Sequence, residues 1–205
     1  IIQNDLNGIK LMIYDNKKSS QTHVIQNQNL FGEFNAENIV SAFLICKNLG
    51  IQPAKIQQAI ESFPGVEGRM QRHTLKNGVK IFIDFAHNPS SFQAILSTLR
   101  NLSENLIVVF GCGGNKDQLK RPMMGQIVAK YANKIILTDD NPRNECRKQI
   151  VQNIIDGIPK AKLQNVVCIL DRKKAIKKAI DLSNKDSVIA LLGKGHEKYY
   201  HINNQ

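Results

Sequence analysis

Apolar positions along this chain follow two regimes. In the first third, GIKLMIYD (8–15) and THVIQNQNL (22–30) carry apolar residues at strand spacing on either side of the polar NKKSSQ (16–21), a pattern that predicts two strands joined by a turn. FGEFNAENIVSAFLICKNLGI (31–51) then switches to helical spacing through Ile39, Val40, Phe43, Leu44 and Leu49, with Gly50 where a glycine ends a helix. Pro53 introduces a second short helix over 54–62. FPGVEGRM (63–70), rich in Gly and Pro, reads as a linker.

Beyond the linker, apolar runs and helical patterns alternate. Strands are predicted in VKIFIDFA (79–86), LIVVFGCGG (106–114), KIILTDD (134–140), VVCIL (166–170) and SVIALLGKG (187–195). Helices are predicted over 89–102, 121–132, 142–158 and 172–183. Near-continuous Val/Ile/Leu strands alternating with helices imply an α/β, Rossmann-like open sheet, mainly parallel and covered on both faces. In the 142–158 helix Asn141 suits the N-cap and Pro142 the first helical position, which puts Arg143 in the first turn, where the helix dipole disfavours a cation. Ligands of such sheets bind beyond the carboxyl ends of the strands. The unusual residues collect there: Asp84 and His87, Gly111–Asp117, Asp139–Arg143, and Gly193–Glu197.

Composition narrows the class. With 205 residues, 42% hydrophobic and 22% charged, the composition is ordinary for a soluble globular protein, with room for one medium domain or one domain plus part of another. No stretch approaches the roughly 18 consecutive apolar residues of a membrane span. The opening IIQNDLNGIK lacks the layout of a signal peptide and begins without Met, so a portion of a longer protein is expected. The formal charge is +11, yet the lysines are scattered; the densest run, DRKKAIKKAI (171–180), reads as a solvated helix face. No nucleic-acid signature accompanies it, and aromatics are only 6%. Cys46, Cys112, Cys146 and Cys168 form no C-x-x-C pair and read as reduced thiols of a cytoplasmic protein.

Each motif alone has a plain reading beside the functional one. GCGGNKD (111–117) can cradle a phosphate through backbone N–H groups or serve as a tight turn, and it matches neither the dinucleotide nor the P-loop fingerprint. In LLGKGHEKY (191–199) Lys194 can hold an anion and Glu197 an amine, or the segment is a flexible loop. In DFAHNP, Asp84 lies beside the crevice, while His87 either bonds a ligand or caps the next helix; no second His stands at metal-ligand spacing. Cys112 invites a nucleophile reading, but a small buried residue is the better one, and no G-x-S-x-G elbow exists.

Taken together and in order, GEFNAEN (32–38), GVEGRMQ (65–71), DFAHNP (84–89), VVFGCGGNKD (108–117), KRPMMG (120–125), TDDNPRNE (138–145) and LLGKGHE (191–197) resemble the Mur ligases, above all the members that add diaminopimelate. The resemblance covers about Gly32 to Tyr199. It implies an ATP-dependent cytoplasmic enzyme of peptidoglycan synthesis that phosphorylates the D-glutamate carboxylate of UDP-N-acetylmuramoyl-L-alanyl-D-glutamate. The amine of the incoming amino acid then attacks the acyl phosphate. It also implies that residues 1–62 are the tail of the family's central, ATP-binding domain. Residues 63–205 would be its C-terminal, amino-acid-binding domain, ending short of the last elements.

On the same resemblance, Arg69, Asp84 and His87 face ATP, and Arg121, Asp140, Asn141, Pro142, Arg143, Gly193 and Glu197 form the pocket for meso-diaminopimelate. ATP and Mg2+ would be held mainly by central-domain parts outside this sequence. No catalytic residue or metal ligand is expected within it, and the isolated chain should be inactive. The expected partners are meso-diaminopimelate, the UDP-muramoyl dipeptide and the missing domains, with no nucleic acid and no membrane. Arg143 would read the distal carboxylate that diaminopimelate has and lysine lacks, which would reconcile a guanidinium with a helix start. A lysine-adding Mur ligase and a non-catalytic module that binds small anions are the alternatives.

Overall fold

The computed structural model describes residues 1–15, 21–197 and 199–201, so the turn expected at 16–21 falls almost wholly outside them. The chain divides into two compact units, Ile1–Val66 and Glu67–Gln205.

In the first unit β1 (Gln3–Asp5), β2 (Gly8–Asp15) and β3 (Gln21–Asn27) form an antiparallel sheet in the order β1-β2-β3. Strand alternation turns Ile9, Leu11 and Ile13 inward, where they meet Ile25, Ala36, Ile39, Phe43 and Ile56. The last four sit on α1 (Glu33–Asn48) and α2 (Pro53–Glu61). Gly50, in the left-handed region at φ +83°, follows α1 and donates its N–H to the Lys47 carbonyl, the expected helix stop. Leu44 and Leu49, expected on the buried stripe, are 47% and 75% exposed, because the inward face runs through Ile39 and Phe43. Polar β1 has no apolar alternation and was not predicted.

The second unit is a six-stranded sheet. Its elements are β4 (Gln71–Thr74), β5 (Lys80–Asp84), α3 (Pro89–Leu102), β6 (Asn105–Phe110), α4 (Lys120–Tyr131), β7 (Lys134–Leu137), α5 (Arg147–Ile155), β8 (Val166–Cys168), α6 (Arg172–Asp181) and β9 (Ser187–Leu192). The order is β4-β5-β9-β6-β7-β8, all parallel except β4, which pairs antiparallel with β5. Ile107 and Val109 of β6 point to the α6 side and pack with Ala175, Ala179 and Ile189. Phe110 points the other way, its ring 5.1 Å from Phe92 of α3. Helices therefore cover both faces of a mainly parallel sheet, the expected α/β class. The unpredicted edge strand β4 has a polar sequence, QRHT; its one sequence signal is the Asn77–Gly78 pair of the following turn.

Two local readings change. Asn88 caps α3, accepting the Ser91 N–H at 2.9 Å, so His87 is not the cap. And α5 begins at Arg147, not Pro142. Asn141 is not an N-cap, and Arg143 lies outside the helix in a left-handed conformation, φ +51°.

Candidate functional site

The parallel strands β5, β9, β6 and β7 end on one edge of the sheet, and the loops that leave them interlock. Backbone approach is so close that side chains are excluded at several points. A Cβ on Gly111 would lie 2.0 Å from the Thr138 carbonyl, and one on Gly114 would lie 1.9 Å from that of Pro142. Gly193, at φ +103°, brings its Cα against Asp140, whose Oδ2 would be 2.6 Å from an added Cβ. The GCGG run thus packs the β6–α4 loop against the β7–α5 loop. Among the described residues the non-glycine positions with positive φ are Met70, Asn115 and Arg143, all in loops of this unit; such strained backbone concentrates at functional sites.

Within this edge the structure gathers Asp140, Asn141, Pro142, Arg143, Gly193 and Glu197. Asn141 is 6% exposed and is the hub. Its Nδ2 donates to Glu197 Oε2 at 2.9 Å, and its Oδ1 accepts from Lys194 Nζ at 3.0 Å and from the His201 N–H at 3.1 Å. Its carbonyl accepts the Gly114 N–H. Arg143 is half-buried; its Nη1 donates to the Gly114 carbonyl at 2.8 Å, with the Asn141 carbonyl at 3.5 Å. The Arg143 N–H donates to the His201 carbonyl, so residues 199–201 run alongside this loop. Burial opposes charge on Glu197, but the Asn141 and Lys194 hydrogen bonds outweigh it and hold its carboxyl below the usual range. Burial pushes Asp140 up, against the pull of Arg172 and Lys194.

Arg121 departs from expectation. It is fully buried, and its fork is bidentate on Glu145, Nη1–Oε1 at 2.5 Å and Nη2–Oε2 at 2.7 Å. Nη1 also reaches Asn153 and Nη2 the Gly113 carbonyl. A fork so occupied cannot grip a substrate carboxylate; only Nε, buried and without a hydrogen-bond partner among the described residues, is left. Arg121 instead clamps α4 to the β7–α5 loop, and Glu145 in turn accepts the Asn115 N–H at 3.0 Å.

Arg69, Asp84 and His87 form a second cluster at the end of β5. Both oxygens of Asp84 accept backbone N–H groups at 2.7 Å, from Met70 and from Ala86. Burial still pushes its carboxyl up. Its carbonyl accepts the Gly193 N–H. The side chain therefore organises the loops around it, with both oxygens engaged by backbone N–H groups. Arg69 lies over the Phe85 ring at 5.1 Å, with the His87 ring edge-on at 5.3 Å and His196 at 6.0 Å.

Sequence reasoning passed over Arg172, Glu145 and Tyr200. Arg172 lies in the run whose pattern indicates a solvated helix face, yet it is 8% exposed and donates to the Leu192 carbonyl at 2.8 Å. Its signal was spacing: Arg172, Ala175 and Ala179 share one helix face, and both alanines are buried. Beside it lies a cleft of about 230 Å³ rimmed by Arg172, Lys194, Glu197 and Tyr200. Among the described residues no group of three or more His, Cys, Asp or Glu side chains is arranged to hold a metal ion. No helix among them is long and apolar enough to cross a membrane.

Cys112 is 4% exposed against Met124, and burial pushes its thiol up to about 12. The thiolate needed for nucleophilic chemistry is absent at neutral pH. A thiol-reactive disulfide at pH 7.5 is expected to label exposed Cys146 and leave Cys112 untouched until the protein unfolds; mass mapping of the labelled peptides checks this.

The profile of the family described as Mur ligase, glutamate ligase domain, matches residues 68–195. A UDP-N-acetylmuramoyl-L-alanyl-D-glutamate–2,6-diaminopimelate ligase of Aquifex aeolicus is 44% identical over 176 residues, 85% of this chain and 36% of its own length. The ligase of the same name from Syntrophomonas wolfei is 36% identical over 98% of this chain and 40% of its own length. A solved structure of a ligase of that name superposes over 98% of this chain and 40% of its own, with TM-score 0.69 and 31% identity. The chain thus spans well under half the length of these curated relatives. Interlocked loops at the ends of a β5-β9-β6-β7 sheet, and a profile match over residues 68–195, lead to one assignment: the chain belongs to the Mur ligase family.

Proposed function

We propose that this chain is the amino-acid-receiving part of an ATP-dependent cytoplasmic ligase that adds meso-diaminopimelate to UDP-N-acetylmuramoyl-L-alanyl-D-glutamate. The observation that carries the reading is a pair of half-used charged groups on neighbouring loops. The hydrogen bonds of the Arg143 guanidinium to described residues are all made by Nη1, leaving Nη2 and Nε as an open edge. Those of Glu197 are made by Oε2, leaving Oε1. A guanidinium edge binds a carboxylate through two parallel hydrogen bonds, and a carboxylate oxygen accepts from an ammonium. Diaminopimelate presents both groups at its distal end, whereas lysine presents an ammonium alone.

With the distal end anchored, the chain's contribution to the reaction is positional: it holds the reacting amine toward an activated carboxyl group. Arg69, over Phe85, and His87 lie at the sheet edge where an ATP-facing role is proposed, with Asp84 fixing the loop that carries Arg69. The family's magnesium neutralises phosphate charge when bound. The described residues form no cluster fitted to hold it, so it would be held by the rest of the central domain, of which residues 1–62 are proposed to be the tail. The 205-residue chain alone is accordingly expected to bind the amino acid without turning it over.

Titration of the chain with meso-diaminopimelate and with L-lysine, followed by calorimetry or amide chemical shifts, tests the reading. Diaminopimelate is expected to bind at least about 10-fold more tightly, the worth of one charge-assisted carboxylate contact. A preference for lysine would refute it in favour of a lysine-adding ligase.

A further inference from the structure

Lys194 sits in the middle of the site, and its place in the sequence suits an anion holder. Its surroundings say otherwise. It is 5% exposed, and its Nζ donates to Asn141 Oδ1 at 3.0 Å, Glu197 Oε2 at 3.2 Å and the Tyr199 carbonyl at 2.6 Å. An ammonium has three N–H donors, so none is left for a ligand. The Tyr200 ring lies over it at 4.4 Å.

We propose that Lys194 is a positioning residue that sets the direction of the Asn141 side-chain amide and thereby decides which oxygen of Glu197 meets the ammonium of the amino-acid substrate. The inference rests on the amino-acid-binding reading above. A carboxamide has two nearly isosteric orientations, with oxygen and nitrogen exchanged. An ammonium cannot accept a hydrogen bond, so Lys194 admits only the orientation with Oδ1 facing it, and the His201 N–H, 3.1 Å from the same oxygen, makes the same demand. Nδ2 is then forced toward Glu197 Oε2, at 2.9 Å. Lys194 and Asn141 each spend one donor on Oε2, and Oε1 has no hydrogen-bond partner among the described residues. If the amide flipped, its oxygen would face the carboxylate and push it away. Lys194 therefore selects for ligands carrying an ammonium beside the carboxylate that Arg143 reads.

The test compares meso-diaminopimelate with 2-aminopimelate, the same carbon chain without the distal amine, on the 205-residue chain. In the wild type diaminopimelate is expected to bind about 10-fold more tightly. In Lys194→Met that ratio should fall toward 1, chiefly through weaker diaminopimelate binding, because 2-aminopimelate has no ammonium to lose. Equal weakening of both ligands, with the ratio kept, would mean a merely structural lysine and would overturn the proposal. Should the Met variant fail to fold, Lys194→Gln carries the same comparison. A ligand-free measurement on the wild type stands apart from both: the Asn141 side-chain NH2 should exchange with water far more slowly than that of exposed Asn101. An Asn141 amide that exchanges as fast as that of Asn101 overturns the Lys194 proposal by itself. A wild type that binds both pimelates equally overturns the diaminopimelate reading instead.

Discussion

Arg121→Ala is expected to destabilise the sheet unit by about 3 kcal/mol and to lower its melting temperature by roughly 10 °C. The loss comes from what is left behind. Glu145 keeps a side-chain exposure of only 16% and would lose both of its Nη partners, while Asn153 and the Gly113 carbonyl would lose theirs. The figure is set at the lower end of the range for buried pairs because Glu145 retains that contact with water. Glu145→Ala should cost a similar amount, by stranding a fully buried guanidinium. Removing both charges together, as Arg121→Met with Glu145→Leu, should recover much of the loss, since an apolar pair needs no compensation.

Melting followed by circular dichroism checks all three variants, and pH adds a second signature. Arg121 holds the Glu145 carboxyl below its ordinary value. A depressed folded-state value stabilises above the unfolded glutamate value of about 4.3 and is lost as pH falls through the folded one. The wild type should shed stability on that acid limb, and the double variant should shed less. A single variant that melts with the wild type would show that the clamp is not structural.

Arg143 is expected to give the largest effect on ligand choice. Arg143→Ala should weaken meso-diaminopimelate by about 10- to 100-fold, the worth of a charge-assisted bidentate contact, and should leave L-lysine nearly unchanged. Arg143→Lys should recover little, because a point ammonium cannot reproduce two parallel hydrogen bonds. The backbone adds a sharper variant. Left-handed conformation at φ +51° costs a non-glycine residue about 1 kcal/mol, and Arg143→Gly removes that cost together with the guanidinium. Its melting temperature should stay near that of the wild type while discrimination against lysine disappears. Calorimetric titration of the three variants with the two amino acids decides it. Undiminished diaminopimelate binding in Arg143→Gly would remove Arg143 from the site.

The contrast between these two arginines shows what the sequence could reveal. The sheet was legible because its strands are continuous apolar runs and its helices carry regular stripes; α3 starts at Pro89 and ends at Leu102, as its pattern indicates. The strand-end loops were legible as places, through their glycines and charges, but not as partnerships. KRP gives no sign that Arg121 will spend its fork on Glu145, 24 residues later, because that pairing depends on how α4 meets the β7–α5 loop. DNPR carries strong helix-start chemistry, yet α5 begins only after Cys146. Tertiary contacts outweigh it: the Gly114 N–H on the Asn141 carbonyl and the His201 carbonyl on the Arg143 N–H draw the segment away from the helix. Polar β1 and β4 went unseen because edge strands need no apolar alternation.

The chain contains no tryptophan and four tyrosines, and two of those four, Tyr199 and Tyr200, place their rings 5.7 and 4.4 Å from the Lys194 ammonium. At wavelengths beyond the phenylalanine band, its near-ultraviolet absorbance and emission therefore come from tyrosine. Half of the tyrosines lie where the substrate ammonium is proposed to settle, so the protein carries its own optical probe of the site. Tyr14 and Tyr131, elsewhere in the chain, supply an internal baseline.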